Sequence, residues 1–362
     1  METVKVHLKS QPGNSYDIVI GRGIVDKIPK DLKKAGLVNN YVIITDSNVK
    51  KKYGNKLLSK MGKIGLKVSI ITFKAGEKSK DRRTKESIEN QMLGNGLGRD
   101  TLIIALGGGV VGDIAGFVAA TYCRGIRYIQ VPTTMLAMAD SSVGGKTGVD
   151  TEFGKNLIGA FHQPTKVYID TSILDKLSRE EMKNGIAETI KHAVIKDKSF
   201  FSYLEKNINN LAKKDPEVID YVTKRNCEIK SAVVERDEKE KGARKILNYG
   251  HTIGHAIESA SNYTIPHGKS IALGMIAAAK ISAKMGFMPM KDLIRQNSLI
   301  AAAGLQTKIR DVGTDKIIKA LKYDKKNVDG TSTFILPRSI GDVFFKDDVP
   351  LGVLKEVISE MK

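Results

Sequence analysis

Three of the chain's six histidines fall within seventeen residues, at 251, 255 and 267. They stand in Asn248-Tyr249-Gly250-His251-Thr252-Ile253-Gly254-His255 and in Ile265-Pro266-His267-Gly268. An isolated histidine usually serves structure, but neutral imidazole is also the commonest metal ligand, and a cluster of three points to a metal. His251 and His255 are one helical turn apart and share a helix face. A catalytic zinc site takes three protein ligands and keeps a fourth position open, so a carboxylate is wanted beside two histidines. Glu188 and Glu258 are both candidates, and spacing selects neither the carboxylate nor the pair of histidines. His7, His162 and His192 have no such grouping and read as structural.

A second chemical signal is Leu106-Gly107-Gly108-Gly109-Val110-Val111-Gly112-Asp113. It follows an apolar run and opens a helical stretch. Gly107, Gly109 and Gly112 satisfy G-x-G-x-x-G, in which glycines let backbone N–H groups approach a pyrophosphate at a helix N-terminus. The ordinary fingerprint adds an acid about 20 residues later. Here that window, Arg124 to Gln130, contains none. The loop is therefore a dinucleotide loop of another kind or a tight turn. Asp46, which ends the run Tyr41 to Asp46, could meet a ribose hydroxyl, with Asn48 two residues on. Gly76-Glu77-Lys78-Ser79-Lys80 follows another apolar run and reads most simply as a charged connector.

Residues 131–164 are rich in functional groups and poor in core formers. Thr133-Thr134, Asp140-Ser141-Ser142, Gly144-Gly145-Lys146-Thr147-Gly148 and Gly154-Lys155-Asn156 suit a phosphate or carboxylate pocket. A Walker A motif is excluded, because Asp140 stands where its first glycine belongs.

The elements that must position these groups differ along the chain. Apolar runs at 41–46, 66–73, 101–106, 128–132 and 166–170 alternate with helical stretches such as 81–93. This predicts a Rossmann-like parallel sheet with ligands at the carboxyl ends of its strands. After about residue 172 the texture is mostly helical, starting at Ser178 as a helix N-cap. Residues 333–336 and 342–345 suggest a small hairpin. The expectation is an α/β domain over 1–177 and a mostly helical, metal- and substrate-binding domain over 178–362.

The net charge of +19 raises nucleic-acid binding. The excess is lysine scattered along the chain, with no tryptophan and no RNA-binding motif, so a lysine-rich surface and an anionic substrate are the better reading. The run from Ile271 is broken by Lys280 and is too short to span a membrane. The N-terminus alternates like a strand and not like a signal peptide. Cys123 and Cys227 have no metal or redox spacing, which suits a reducing cytoplasm.

Taken together, GGGVVGD, TYCRGIRYIQVPTTMLAMADSSVGGKTGVD, GKNLIGAFHQP, GIAETIKH, KILNYGHTIGHAIE, HGKSIALGM and YDKKNVDG resemble the signatures of the 3-dehydroquinate synthase family, in its order. Several independent motifs in sequence are far more specific than one glycine loop. The resemblance implies Glu188, His251 and His267 as zinc ligands, with cobalt an alternative ion, and makes His255 a substrate-facing residue. It implies NAD contacts at Asp46, Asn48, Glu77, Lys80, Gly108, Gly109, Asp113, Thr133, Thr134, Leu136, Asp140, Lys146 and Lys155. Substrate contacts would be Asp140, Lys146, Asn156, Lys191, Lys230, Arg244, Asn248, His255 and the Lys325-Lys326 pair. Arg124 would reach a neighbouring subunit's site, which implies a homodimer. The family's Thr-Leu-Pro-x-Arg-Glu run reads Lys176-Leu177-Ser178-Arg179-Glu180 here, so the threonine contact near NAD is not carried over.

The implied reaction turns 3-deoxy-D-arabino-heptulosonate 7-phosphate into 3-dehydroquinate and phosphate. It would run by transient oxidation with NAD, β-elimination of phosphate, re-reduction, ring opening and intramolecular aldol closure. Rival readings are another sugar phosphate cyclase, of inosose or valiolone type, and a metal-dependent polyol dehydrogenase.

Overall fold

The computed structural model describes residues 1–8, 13, 15–324 and 333–362. The chain divides into two compact units: Met1–Leu177 with Ile219–Lys239, and Ser178–Val218 with Glu240–Lys362.

The first unit is built on a seven-stranded sheet. Its strands are β1 (Glu2–Val6), β2 (Tyr16–Gly21), β3 (Asn40–Asp46), β4 (Lys67–Phe73), β5 (Thr101–Gly107) and β6 (Arg127–Pro132), followed after a separate hairpin by β9 (Lys166–Asp170). Helices α1 (Ile28–Ala35), α2 (Ser47–Val49), α3 (Asn55–Lys63), α4 (Arg82–Gly94) and α5 (Gly109–Thr121) connect them. The strand order is β1-β2-β9-β6-β5-β3-β4, parallel except for the β1–β2 pair. β5 is buried along its whole length, as a central parallel strand covered on both faces must be. Val42, Ile44, Ile103 and Ala105 of the sheet pack with Ile114 and Val118 of α5 in one core.

The order fixes where a ligand belongs. From β3 the chain crosses to β4 on one side, whereas β5 lies on the other side and leads on to β6. The strand order therefore reverses between β3 and β5, and sheets of this kind bind ligands at such a point, beyond the carboxyl ends of the strands. Asp46 ends β3 and Gly107 ends β5.

Residues 131–164 contain two strands that no apolar run in the sequence marked. After Thr133-Thr134 and a helical turn they form an antiparallel hairpin, β7 (Lys146–Thr151) and β8 (Gly154–Phe161). Its backbones cross closely, since a β-carbon on Gly159 would overlap the Thr147 carbonyl oxygen. β8 buries none of its residues fully, so its sequence carries no alternation to reveal a strand.

The second unit is mostly helical. It holds α6 (Arg179–Lys196), α7 (Lys198–Ala212), the start of α8 (Pro216–Arg236), α9 (His251–Ala260), α10 (His267–Lys284), α11 (Met290–Ala302), α12 (Thr314–Asp324) and α13 (Leu351–Glu360). A two-stranded hairpin, β10 (Phe334–Ser339) with β11 (Asp342–Lys346), lies where the sequence suggested one. Ser178 caps α6 by accepting from the Glu181 N–H at 3.2 Å, and Glu180 and Glu181 favour the positive end of that helix. No helix among the described residues is long and apolar enough to cross a membrane.

Candidate metal and nucleotide sites

The metal candidates come from three helices of the second unit. Glu188 lies mid-way along α6, His251 opens α9 and His267 opens α10. Glycines let α9 and α10 approach backbone to backbone: a β-carbon on Gly274 would overlap the Gly250 carbonyl oxygen, and one on Gly254 would sit 2.9 Å from the Ser270 carbonyl oxygen. Gly250 has φ +78°, a left-handed conformation that glycine adopts without penalty. Gly268 meets α6 similarly, with Asn184 Cα 2.5 Å from where its β-carbon would lie.

This packing gathers Glu188, His251 and His267 so that one ligand atom from each lies within 4.8 Å of the others. His267 Nε2 is 3.1 Å and His251 Nε2 3.6 Å from Glu188 Oε1. His255, Glu258 and His267 form a second, overlapping group. Lys191, one turn from Glu188, pairs with it at 2.5 Å, and both side chains are buried. Burial pushes the pKa of His251 down to about 3, against the attraction of Glu188, so the ring is neutral and has a lone pair to offer. Burial also opposes charge on His267, but hydrogen bonding to Glu188 and Glu258 outweighs it and raises the pKa to about 9. Two imidazoles and one carboxylate are a donor set that suits zinc or cobalt.

The other expected substrate residues of this unit are placed separately. Arg244 is buried in a short helical turn. Asn248 donates to Glu240 Oε1 at 2.9 Å, and His255 is exposed. Lys325 and Lys326 lie outside the described residues.

In the first unit the glycine loop stands at the end of β5. Gly108 precedes the first turn of α5 and no side chain caps that turn. Its leading N–H groups have no acceptor within the helix and suit an anion. Side chains on the loop would close it: a β-carbon on Gly108 would lie 3.1 Å from Thr134 Cγ2, and one on Gly109 3.3 Å from Ser141 Oγ. Asp46 accepts from the Asn48 and Val49 N–H groups, so it also caps α2. Thr133 follows β6, and Thr134 and Leu136 follow it into a helical turn.

Lys80 ties three segments together. It pairs with Asp113 of α5 at 2.6 Å, donates to Asn156 Oδ1 of β8 at 2.5 Å, and its carbonyl accepts from the Asp150 N–H at 2.7 Å. Asp150, which the sequence did not single out, also accepts from the Asn156 N–H at 2.9 Å and steadies that residue at φ +56°. Burial opposes charge on Lys80, but Asp113 outweighs it and raises the pKa. For Asp113 burial is the larger effect and holds its carboxyl above the usual range despite Lys80. Lys155 lies 3.6 Å from exposed Glu77. Lys230 pairs with Asp140 and donates to its carbonyl oxygen at 2.6 Å. Lys146 is exposed at the start of β7, and Arg124 is exposed at φ +67°. His162, read as structural, stacks on Tyr128 and bonds the Ile126 carbonyl oxygen at 2.9 Å.

Solved structures match the fold of the chain over both units. A 2-deoxy-scyllo-inosose synthase complexed with carbaglucose-6-phosphate, NAD+ and Co2+ matches with a TM-score of 0.91 and 30% identity over 100% of both chains. The 2-epi-5-epi-valiolone synthase of Streptomyces hygroscopicus subsp. jinggangensis, with NAD+ and Zn2+ bound, matches with a TM-score of 0.88 and 25% identity over 96% of each chain. The fold is that of the sugar phosphate cyclases. Residues 70–184 match the family model described as 3-dehydroquinate synthase N-terminal, and 185–327 match 3-dehydroquinate synthase C-terminal. The 3-dehydroquinate synthase of Desulforamulus reducens is 44% identical over 99% of this chain and 100% of its own. The chain belongs to the 3-dehydroquinate synthase family.

Proposed function

We propose that the chain is an enzyme that converts 3-deoxy-D-arabino-heptulosonate 7-phosphate into 3-dehydroquinate and phosphate, a step of the shikimate pathway. The observation that carries this is the identity of 44% along the entire length of a 3-dehydroquinate synthase, against 30% to an inosose synthase of the same fold. When bound, NAD supplies a hydride acceptor and donor, and a divalent ion on Glu188, His251 and His267 supplies a Lewis acid for the substrate's hydroxyls.

The chain's own residues then bind and orient. The α5 N-terminus with Gly108 and Gly109 would hold the pyrophosphate, and Asp46 with Asn48 the ribose. Glu77, Lys80, Asp113, Thr133, Thr134, Leu136, Asp140, Lys146 and Lys155 would complete the nucleotide's surroundings. Lys80 links the nucleotide loop to Asn156, so a residue assigned to the substrate phosphate is set by one assigned to the cofactor. Lys146, Asn156, His255 and one of Lys325 and Lys326 would bind that phosphate, with Arg124 from a second copy in a homodimer.

Arg244 and Lys230 would hold the substrate carboxylate, the guanidinium offering a planar fork. Lys191, Asn248 and Asp140 would face the hydroxyls. The departing phosphate can itself remove the neighbouring proton, so little separate acid–base machinery is needed. Positioning and charge stabilisation carry the rate. The free cysteines Cys123 and Cys227 fit a reducing cytoplasm.

Phosphate release from the heptulosonate phosphate, measured with and without NAD and a chelator, tests the reading. Release that needs both cofactors, with no net NADH, is expected. Faster release from glucose 6-phosphate or sedoheptulose 7-phosphate would move the chain to the inosose or valiolone reaction. Net NADH formation would make it a dehydrogenase.

A further inference from the structure

His251 and His267 turn the same edge toward Glu188. Both present Nε2 to Glu188 Oε1, at 3.6 and 3.1 Å. On its other edge, His251 Nδ1 faces the Tyr249 carbonyl oxygen at 3.1 Å. A proton donated there leaves the Nε2 lone pair free for a metal. Tyr249 is itself fixed, its buried hydroxyl meeting Gln296 Oε1 at 2.9 Å and the Met275 carbonyl oxygen at 3.2 Å. On the Nδ1 edge of His267 stands a carboxylate, Glu258 Oε2, at an ion-pair distance of 3.8 Å, with its side chain only 4% exposed.

We propose that Glu258 is a positioning residue that takes the Nδ1–H of His267 and aims Nε2 into the Glu188 group. The inference rests on the metal reading of Glu188, His251 and His267. Glu258 stands two helical turns after His251 on α9, so both face the start of α10. It also lies near the positive end of α10, which favours a carboxylate there. It is not a ligand of the same ion, because the two nitrogens of one imidazole diverge and Glu188 lies on the opposite edge. An ion held by His255, Glu258 and His267 would bind that other edge and forgo Glu188 and His251.

Titrating the full chain with Co2+ against a competing chelator, and recording the visible d–d spectrum, tests this. Glu258→Ala is expected to bind one Co2+ about 10–100-fold more weakly than wild type, with a shifted spectrum. Glu258→Gln keeps the shape and an acceptor oxygen but loses the charge, and falls between. Affinity and spectrum equal to wild type in Glu258→Ala overturn the proposal. So does complete loss of Co2+, which would make Glu258 a ligand, and so does loss of Co2+ in His255→Ala. If Glu258→Ala does not fold, the isosteric Glu258→Gln decides: about tenfold weaker binding supports the role, and unchanged binding removes it. Undiminished binding in Glu188→Ala would overturn the metal reading itself, a failure separate from that of Glu258.

Discussion

Gly274 faces Gly250 so closely that a β-carbon on it would overlap the Gly250 carbonyl oxygen, with the Gly254 amide nitrogen 2.7 Å away. These are backbone atoms and cannot swing aside. Gly274→Ala is therefore expected to destabilise the second unit by about 1–3 kcal/mol, despite alanine's better helix propensity. Because His251 and His267 open the two helices concerned, Co2+ affinity should fall with it. Urea midpoints and Co2+ titration check both, and a variant with wild-type values of each would refute this account of the packing.

Two glycines on α5 make a contrast within one helix. A β-carbon on Gly112 would meet the end of the Gln130 side chain, Oε1 at 2.8 Å. On Gly116 it would meet β-branched Thr147, Cγ2 at 2.5 Å, and Tyr128 Cε2 at 3.3 Å. Gln130 can rotate, whereas Thr147 is stiff and bonded through its hydroxyl to the Ala160 carbonyl oxygen at 2.8 Å. Gly112→Ala should be near neutral, since the helix-propensity gain of about 1 kcal/mol offsets a small adjustment. Gly116→Ala should cost about 1–3 kcal/mol. Thermal unfolding of the two variants side by side decides it, and the reverse order would contradict the structure.

The sheet and its loop were legible because parallel strands buried on both faces read as apolar runs, and β3, β5 and β6 appear where those runs stand. The β7–β8 hairpin was not, because β8 faces outward and is held by backbone crossing at Gly148 and Gly159. Local pattern does not carry that. The histidine cluster was visible as a cluster, but spacing could not choose among its members. The choice depends on α6, whose Glu188 lies 63 residues earlier than His251 and is brought near by packing such as the α6–α10 approach at Gly268. Asp150 was missed because one acid among functional groups has no periodic signature. Tyr249 stands within the histidine motif, but only the structure shows its carbonyl facing His251.

Lys80 and Asp113 form an ion pair that burial makes costly to break. Lys80→Met leaves Asp113 without its cation, at a cost of about 3 kcal/mol. Burial already holds Asp113 above the ordinary carboxylate range, and Lys80 restrains that rise. Without Lys80 the folded-state pKa climbs further. Such a group carries no penalty below its unfolded value, near 3.8, and the penalty grows as pH rises toward the folded value. The stability gap between wild type and Lys80→Met should therefore widen as pH rises past the wild-type folded-state value, which itself lies above 3.8, and Lys80→Met/Asp113→Asn should flatten it. Urea midpoints across that range are the measurement. A gap independent of pH would place the loss elsewhere.

Arg244 is the proposed anchor of the substrate carboxylate. Arg244→Ala should weaken binding of the heptulosonate phosphate by about 1.5–3 kcal/mol, which is roughly 10- to 150-fold. It should affect a substrate lacking the carboxylate, such as sedoheptulose 7-phosphate, far less. Equal losses for both would point to a structural role for the buried guanidinium.

Removing the metal should leave the chain folded. Glu188 is flanked by Lys191 at 2.5 Å and His267 at 3.1 Å, so the cluster is electrostatically matched without an ion. The chelated protein is expected to keep its far-ultraviolet circular dichroism and to unfold cooperatively, with a Tm that rises on adding Zn2+ as mass action requires. Cation and proton compete for His267, whose pKa of about 9 in the metal-free chain means it is protonated at neutral pH. Binding must expel that proton, so affinity should rise about tenfold per pH unit up to about 9 and level off above it. His251, with its pKa near 3, is already neutral and adds no such dependence. Zinc titrations between pH 6.5 and 9.5, taken as about this window, read the slope. An affinity flat with pH would mean that His267 is not a ligand.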